Sequence, residues 1–261
     1  MHTHEGCFAD KVVQSVFCVA PHKQNGAASL ANALRRTLIN QVPCYAAVKI
    51  VEHKYEADMV LDVLAHTLAL VPITFKGAGD MLDVLQTFSA TNQGTVMFKL
   101  CVACSSLDDC DPGMLFREVT TADMQWCPTD FDKDFPTDLQ PHVTFSTIPL
   151  LHLKPGQAVH LDIICAPGIG EQHSKWSVVC PAFLRYPKQV EVLSPNNIDD
   201  KDQEDQEAAV RQDALTNPSN STMELCVETT SAVSPLDAVE TSCKILRNQL
   251  HDLQASLSAF S

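Results

Sequence analysis

Three groups of residues in this 261-residue sequence have side chains that could do chemistry. Cys101-x-x-Cys104, with Cys110 nearby, offers the thiolates that zinc takes. On a strand, however, positions three apart point to opposite faces, and no second Cys or His pair follows at ligand spacing. Asp130, Asp132 and Asp134 alternate and could chelate a hard cation. As a calcium loop the run fails, because Phe135 stands where the turn needs Gly and Pro141 where a bidentate Glu is required. It reads as a solvated loop. Neither G-x-x-x-x-G-K nor G-x-G-x-x-G occurs, since Gly77 and Gly79, like Gly168 and Gly170, lack the remaining positions. Ten histidines and eleven cysteines allow a nucleophile and base to be paired on paper, but no G-x-S-x-G elbow would present them. No catalytic residue, metal or cofactor is therefore expected.

Composition narrows the classes further. Hydrophobic residues at 45% and charged residues at 19% exclude wholesale disorder and leave enough apolar side chains for a core. A net charge of −14 opposes direct binding to a phosphate backbone, so any work near nucleic acid must pass through protein partners. No apolar run reaches the ~18 residues a membrane span needs, and the start Met1-His-Thr-His-Glu-Gly lacks the features of a signal peptide. A chain kept inside the cell, with thiols rather than disulfides and neither secreted nor bound to a membrane, is expected.

The elements that must position any site alternate between strand and helix. Lys11–Ala20 is rich in Val and Phe and reads as a strand. After the turn His22–Gly26, residues Ala27–Gln41 place Ala27, Leu30, Leu34 and Leu38 at helical spacing, with Asn25 or Ser29 as cap and Pro43 as stop. Tyr45–Tyr55 reads as a half-buried strand and Asp58–Leu70 as a second helix. Strand-like pieces follow at Thr95–Ala103, Leu115–Val119 and Val159–Cys165, the last leading into a Gly and Pro loop, Ala166–Gly170. Asn196–Asp213 holds seven acids and almost nothing to bury, as a flexible acidic loop does. The last element is the clearest. Ser234 can cap it, Pro235 takes its first position, and Leu236, Val239, Cys243, Leu246, Leu250, Leu253 and Leu257 recur at alternating steps of three and four. Such a stripe packs either on the chain's own sheet or on another chain's helix, and the spacing fits both.

Ser29–Arg36 (SLANALRR), followed by Val42-Pro43, resembles the signature of the alpha-like assembly subunits of multisubunit RNA polymerases. That family includes the bacterial alpha chain and its archaeal counterpart, the third subunit of RNA polymerase II and its equivalent in polymerases I and III. Four further matches come in the family's order. Ala65–Ile73 (AHTLALVPI) is similar to its A-H-R-x-G-L-I-P stretch, and Val119–Asp123 to a later Val-to-Asp step. Leu153–Gln157, with Gly168–Trp176, resembles the K-x-x-G-Q and G-x-x-x-x-H-A-K-W segments of archaeal and eukaryotic members. Leu225–Thr229 and the heptad helix resemble its F-x-V-E-S strand and closing helix.

The resemblance implies an α+β fold in which a discontinuous dimerisation domain, 1–41 and 178–261, is interrupted by an insert domain, 42–177. It implies a non-catalytic scaffold whose partners are a smaller alpha-like subunit, the second-largest polymerase subunit and small zinc-binding polymerase subunits. The expected interface residues are Asn32, Leu34, Arg35, Arg36, Leu38, Lys175, Trp176, Leu246, Leu250 and Leu253. The family's Arg is Thr67 here and its following Gly is Ala69. No cysteine lies between Ile73 and Thr95, where a zinc loop would fall, so the insert is expected to be metal-free. His66 is expected to be a hydrogen-bonded structural residue. These departures fit a polymerase I and III type subunit or a divergent, for instance viral, polymerase. The expected location is the nucleus in a cellular eukaryote, or host cytoplasm, nucleus and virion for a virus. Two rival readings are a self-associating interaction module using the heptad helix, and a thiol- or metal-dependent enzyme built on Cys101, Cys104 and Asp130–Asp134.

Overall fold

The computed structural model describes residues 5–8, 11–19, 27–75, 94–128, 140–185 and 223–258. Asp130–Asp134, the acidic stretch Asn196–Asp213 and the turn His22–Gly26 lie outside the described residues. In chain order the elements are β1 (Glu5–Phe8), β2 (Lys11–Val19), α1 (Ala27–Asn40), β3 (Pro43–Glu56), α2 (Leu61–Ala69), β4 (Ile73–Phe75), β5 (Val96–Cys104), β6 (Arg117–Thr120), β7 (Met124–Trp126), β8 (Pro141–Val143), β9 (Pro149–Leu153), β10 (Gln157–Ile169), β11 (Val179–Arg185), β12 (Met223–Thr229) and α3 (Pro235–Ser258). The fold is α+β, and every pairing among the described strands is antiparallel.

One sheet has the order β1-β2-β12-β11, so it is assembled from the two ends of the chain. Both α1 and α3 pack on it and on each other. A second sheet, β7-β5-β10-β3-β4-β8, is built from the residues between, and β6 pairs with β9 in a small ribbon. Among the described residues, no helix is long and apolar enough to cross a membrane.

Local chemistry accounts for these elements. In β5 and β10 every second side chain is buried, Val96, Phe98, Leu100, Val102 and Cys104 on one, Val159, Leu161, Ile163 and Cys165 on the other. That period of two turns one face of the sheet into core, and each fully buried Leu or Ile contributes about 1.5–3 kcal/mol. In β3 the alternation is lost. Its first five residues, Pro43–Ala47, are all buried because α2 and the turn at Ser174–Trp176 both pack on the strand.

The expected helix at Asp58–Leu70 begins later, at Leu61. Asp58 instead receives Lys154 Nζ at 2.6 Å and Gln157 Nε2 at 2.8 Å, which together hold its carboxyl below the usual carboxylate range. The expected loop Ala166–Gly170 is mostly strand, since β10 continues to Ile169, paired with Pro43 of β3. On α1, Ser29 lies inside the helix and does not cap it. The buried positions of α1 are Ala31, Leu34, Thr37 and Leu38, whereas Leu30 is exposed. Leu34 and Leu38 of the expected stripe are thus core, flanked by Ala31 and Thr37 rather than by Leu30.

The start of α3 follows its sequence. Ser234 Oγ accepts from the Asp237 backbone N–H at 3.2 Å and donates to the Asp237 carboxylate at 2.6 Å. Pro235 takes the first position, where no N–H is needed.

Candidate subunit interface

α3 is 24 residues long, and the chain uses only part of it. Pro235, Ala238, Val239, Thr241 and Ser242 are buried against the first sheet and α1, and Leu246 packs on the edge of the core. From Arg247 to Ser258 every residue is exposed. At 1.5 Å per residue, that is roughly 18 Å of helix without cover from the described residues. Leu250, Leu253 and Leu257 are 65%, 56% and 62% exposed there.

The exposed apolar residues fall into a row. Leu236, Cys243, Leu250 and Leu257 are spaced by seven and all exposed. The other heptad row, Val239, Leu246 and Leu253, passes from buried through partly buried to exposed along the helix. One row thus begins by closing the chain's own core while the other faces outward along its whole length. A row of apolar residues at seven-residue spacing is the surface a second helix packs on. Leu30 of α1 adds a further exposed apolar side chain, 53% accessible.

The expected interface residues divide accordingly. Leu34 and Leu38 are buried in the chain's own core. Asn32 and Arg36 are exposed on α1. Arg35 donates from Nη2 and Nε to Asn32 Oδ1 at 2.9 and 3.2 Å, so a neighbour one turn away orients its guanidinium. Neither arginine forms an ion pair among the described residues.

Lys175 and Trp176 are engaged within the chain. Lys175 Nζ donates to the Ala47 carbonyl at 2.9 Å and lies 4.4 Å from the centroid of the Trp176 ring. Trp176 Nε1 donates to the Ala166 carbonyl at 3.0 Å, and the Cys44 thiol donates to the Trp176 carbonyl at 3.2 Å. The segment Gly168–Trp176 also meets the end of α1. Glu171 N–H donates to the Asn40 carbonyl at 2.9 Å, and Ser177 Oγ donates to the Ile39 carbonyl at 3.3 Å. These are the last carbonyls of α1, which a helix leaves without partners of its own. The segment therefore ties α1 to the β3–β10 strand pair.

The two glycines of this segment have a steric cause that their spacing hid. A Cβ at Gly168 would overlap the Trp176 ring, and one at Gly170 would stand 2.5 Å from the Ile39 carbonyl oxygen. Gly168→Ala is expected to lower stability by about 1–3 kcal/mol, the usual result of overpacking. Chemical denaturation followed by tryptophan fluorescence checks it.

The remaining motif residues also hold turns. Thr120 and Asp123 form a reciprocal cap, with Thr120 N–H donating to Asp123 at 3.0 Å and Ala122 N–H to Thr120 Oγ1 at 3.3 Å. Gln157 accepts from Lys154 N–H at 2.8 Å, closing the turn between β9 and β10. His66 is exposed on α2. Cys101 is exposed and Cys104 buried, on opposite faces as strand geometry requires, and Cys104 Sγ lies 3.7 Å from Cys110 Sγ. Burial pushes the Cys44 and Cys165 thiols up to about 12, far from a nucleophile's range.

Comparison with known proteins follows the same lines. A family model described as the RNA polymerase Rpb3/Rpb11 dimerisation domain matches residues 21–250. The chain is 32% identical over 161 residues to the rpac1 subunit of DNA-directed RNA polymerases I and III of Dictyostelium discoideum, covering 60% of this chain and 46% of that one. It is 30% identical over 182 residues to human RPAC1, covering 64% of this chain and 51% of that one. Similarity extends to the archaeal polymerase subunit Rpo3 of Pyrobaculum aerophilum, 26% identical over 163 residues, covering 62% and 56%. The chain spans about half the length of the curated relatives it matches.

Proposed function

Because the chain belongs to the RNA polymerase Rpb3/Rpb11 dimerisation-domain family, we propose that it is a non-catalytic assembly subunit of a DNA-directed RNA polymerase. In this reading it pairs with a smaller alpha-like chain through α3 and α1 and holds the second-largest subunit. The outward row Leu236, Cys243, Leu250 and Leu257 carries the reading, because it is a ready helix-packing surface that the described residues leave open. Residues 1–41 and 178–261 then act as the dimerisation domain, supplying the four-stranded sheet with both helices, and 42–177 as the insert. Asn32, Arg35 and Arg36 serve contact with a large subunit, and small zinc-binding subunits join at the assembled core. The net charge of −14 suits a place away from the DNA path. In a cellular eukaryote the site of action is the nucleus.

A second reading, self-association, is favoured by the same outward row, since two copies of α3 could cover each other. Native mass measurement separates the two. Coexpression with a smaller alpha-like subunit is expected to give a one-to-one heterodimer at the expense of any homodimer. A homodimer that persists in the presence of excess small subunit would support self-association and count against the proposed pairing.

A further inference from the structure

His160 and Asp162 stand two apart on β10 and so share a face of the six-stranded sheet. On the neighbouring strand, Lys54 pairs with His160 and Glu52 with Leu161, which leaves His53 as the unmatched residue of a β-bulge. Bulges re-aim side chains, and this one brings His53 onto the same two residues. His53 Nε2 lies 2.8 Å from Asp162 Oδ2, and the His53 and His160 rings are 4.7 Å apart between centroids. One ligand-capable atom from each of the three lies within 4.8 Å of the others. The second Asp162 oxygen, Oδ1, is buried and has no hydrogen-bond partner among the described residues. A buried carboxylate oxygen without a partner is rare and calls for one.

We propose that His53, His160 and Asp162 form a binding site for a divalent transition cation, zinc first, that clamps β3 to β10 across the bulge. The proposal is independent of the assembly role. Two imidazoles and one carboxylate suit zinc and its neighbours rather than magnesium or calcium, which take oxygen ligands. Metal–ligand distances of about 2.0–2.2 Å place tetrahedral ligand atoms roughly 3.3 Å apart. Side-chain rotation that draws the widest pair of ligand atoms, at most 4.8 Å apart, closer by about 1.5 Å therefore closes the set. Three protein ligands leave a fourth position open to water. Lys99, opposite Asp162 in the β5 ladder, opposes a second positive charge and moderates the affinity.

The test titrates the full chain with Zn2+ against a chromophoric chelator and records the visible absorption of the Co2+ form. Expected are one equivalent bound and a tetrahedral cobalt spectrum without thiolate charge transfer. His53→Gln and His160→Gln are each expected to weaken binding by at least the roughly 10- to 100-fold that loss of even an outer-shell partner costs. Melting curves without metal check that these variants fold, and the cobalt spectrum of the unaltered chain stands regardless. Cys101→Ser removes the thiol that stands opposite His160 on β5 and is expected to leave binding unchanged. No stoichiometric zinc, full binding in the histidine variants, a thiolate-type cobalt spectrum, or loss of binding in the cysteine variant would each overturn the site.

Discussion

Leu250→Asp, alone or with Leu253→Asp, is expected to abolish pairing with the smaller alpha-like subunit while leaving the isolated chain folded. Both leucines are more than half exposed in the single chain, so a carboxylate there meets water and changes stability by no more than about 0.5 kcal/mol. In a helix seam the same carboxylate would be buried without a partner, which costs several kcal/mol. Each 1.4 kcal/mol is a factor of about ten in affinity, so the pair should weaken by more than about a hundredfold. Leu246→Asp differs instructively. Leu246 already packs against the chain's own core, so that variant is expected to lose stability as well as pairing, by about 2–5 kcal/mol. Co-purification of the small subunit, with circular dichroism of the single chain, reads both effects. If pairing survives Leu250→Asp with Leu253→Asp, the seam lies elsewhere.

Arg35→Ala and Arg36→Ala are expected to leave both the fold and the heterodimer intact and to weaken capture of the second-largest subunit. Neither guanidinium is tied to the chain's core. Among the described residues Arg35 is steadied by Asn32 on the same helix, and Arg36 is exposed. A guanidinium held in this way loses less entropy on pairing with a carboxylate or carbonyl of another protein. Truncating an interfacial arginine that pairs with charge typically costs about 2–5 kcal/mol. The large subunit should therefore dissociate when the mutant assembly is purified. Unfolding of either variant would make the arginine structural, and unchanged capture by both would remove them from the interface.

How far the sequence reveals this arrangement depends on how local each cause is. α3 is legible because seven apolar residues and a Ser–Pro–Asp start all lie within one segment, and the helix forms where they say. The sequence leaves open whether the stripe packs on its own sheet or on another chain, because the heptad spacing is the same for both. Only the burial gradient from Val239 through Leu246 to Leu253 separates the two rows. β10 is longer than its pattern suggests because Pro167 and Gly168 look like loop residues. Gly168 is there to admit the Trp176 ring, a contact that exists only after folding. On α1, Ala31 and Thr37 are buried beside Leu34 and Leu38, and a small or polar side chain leaves no mark in apolar spacing. The His53, His160 and Asp162 cluster is invisible in sequence because His53 and Asp162 are 109 residues apart and meet only through a bulge. Lys175 and Trp176 stand out in the sequence through resemblance alone; their bonds to Ala47 and Ala166 belong to the folded strand pair.

The most direct measurement is the set of proteins, with their stoichiometry, that copurifies with an affinity-tagged copy of this chain expressed in its own cells. One smaller alpha-like subunit and the two largest polymerase subunits are expected in equal amounts, with the Leu250→Asp and Leu253→Asp variant losing all three. Recovery of the chain alone or only with further copies of itself, while polymerase subunits assemble without it, would contradict the assembly role.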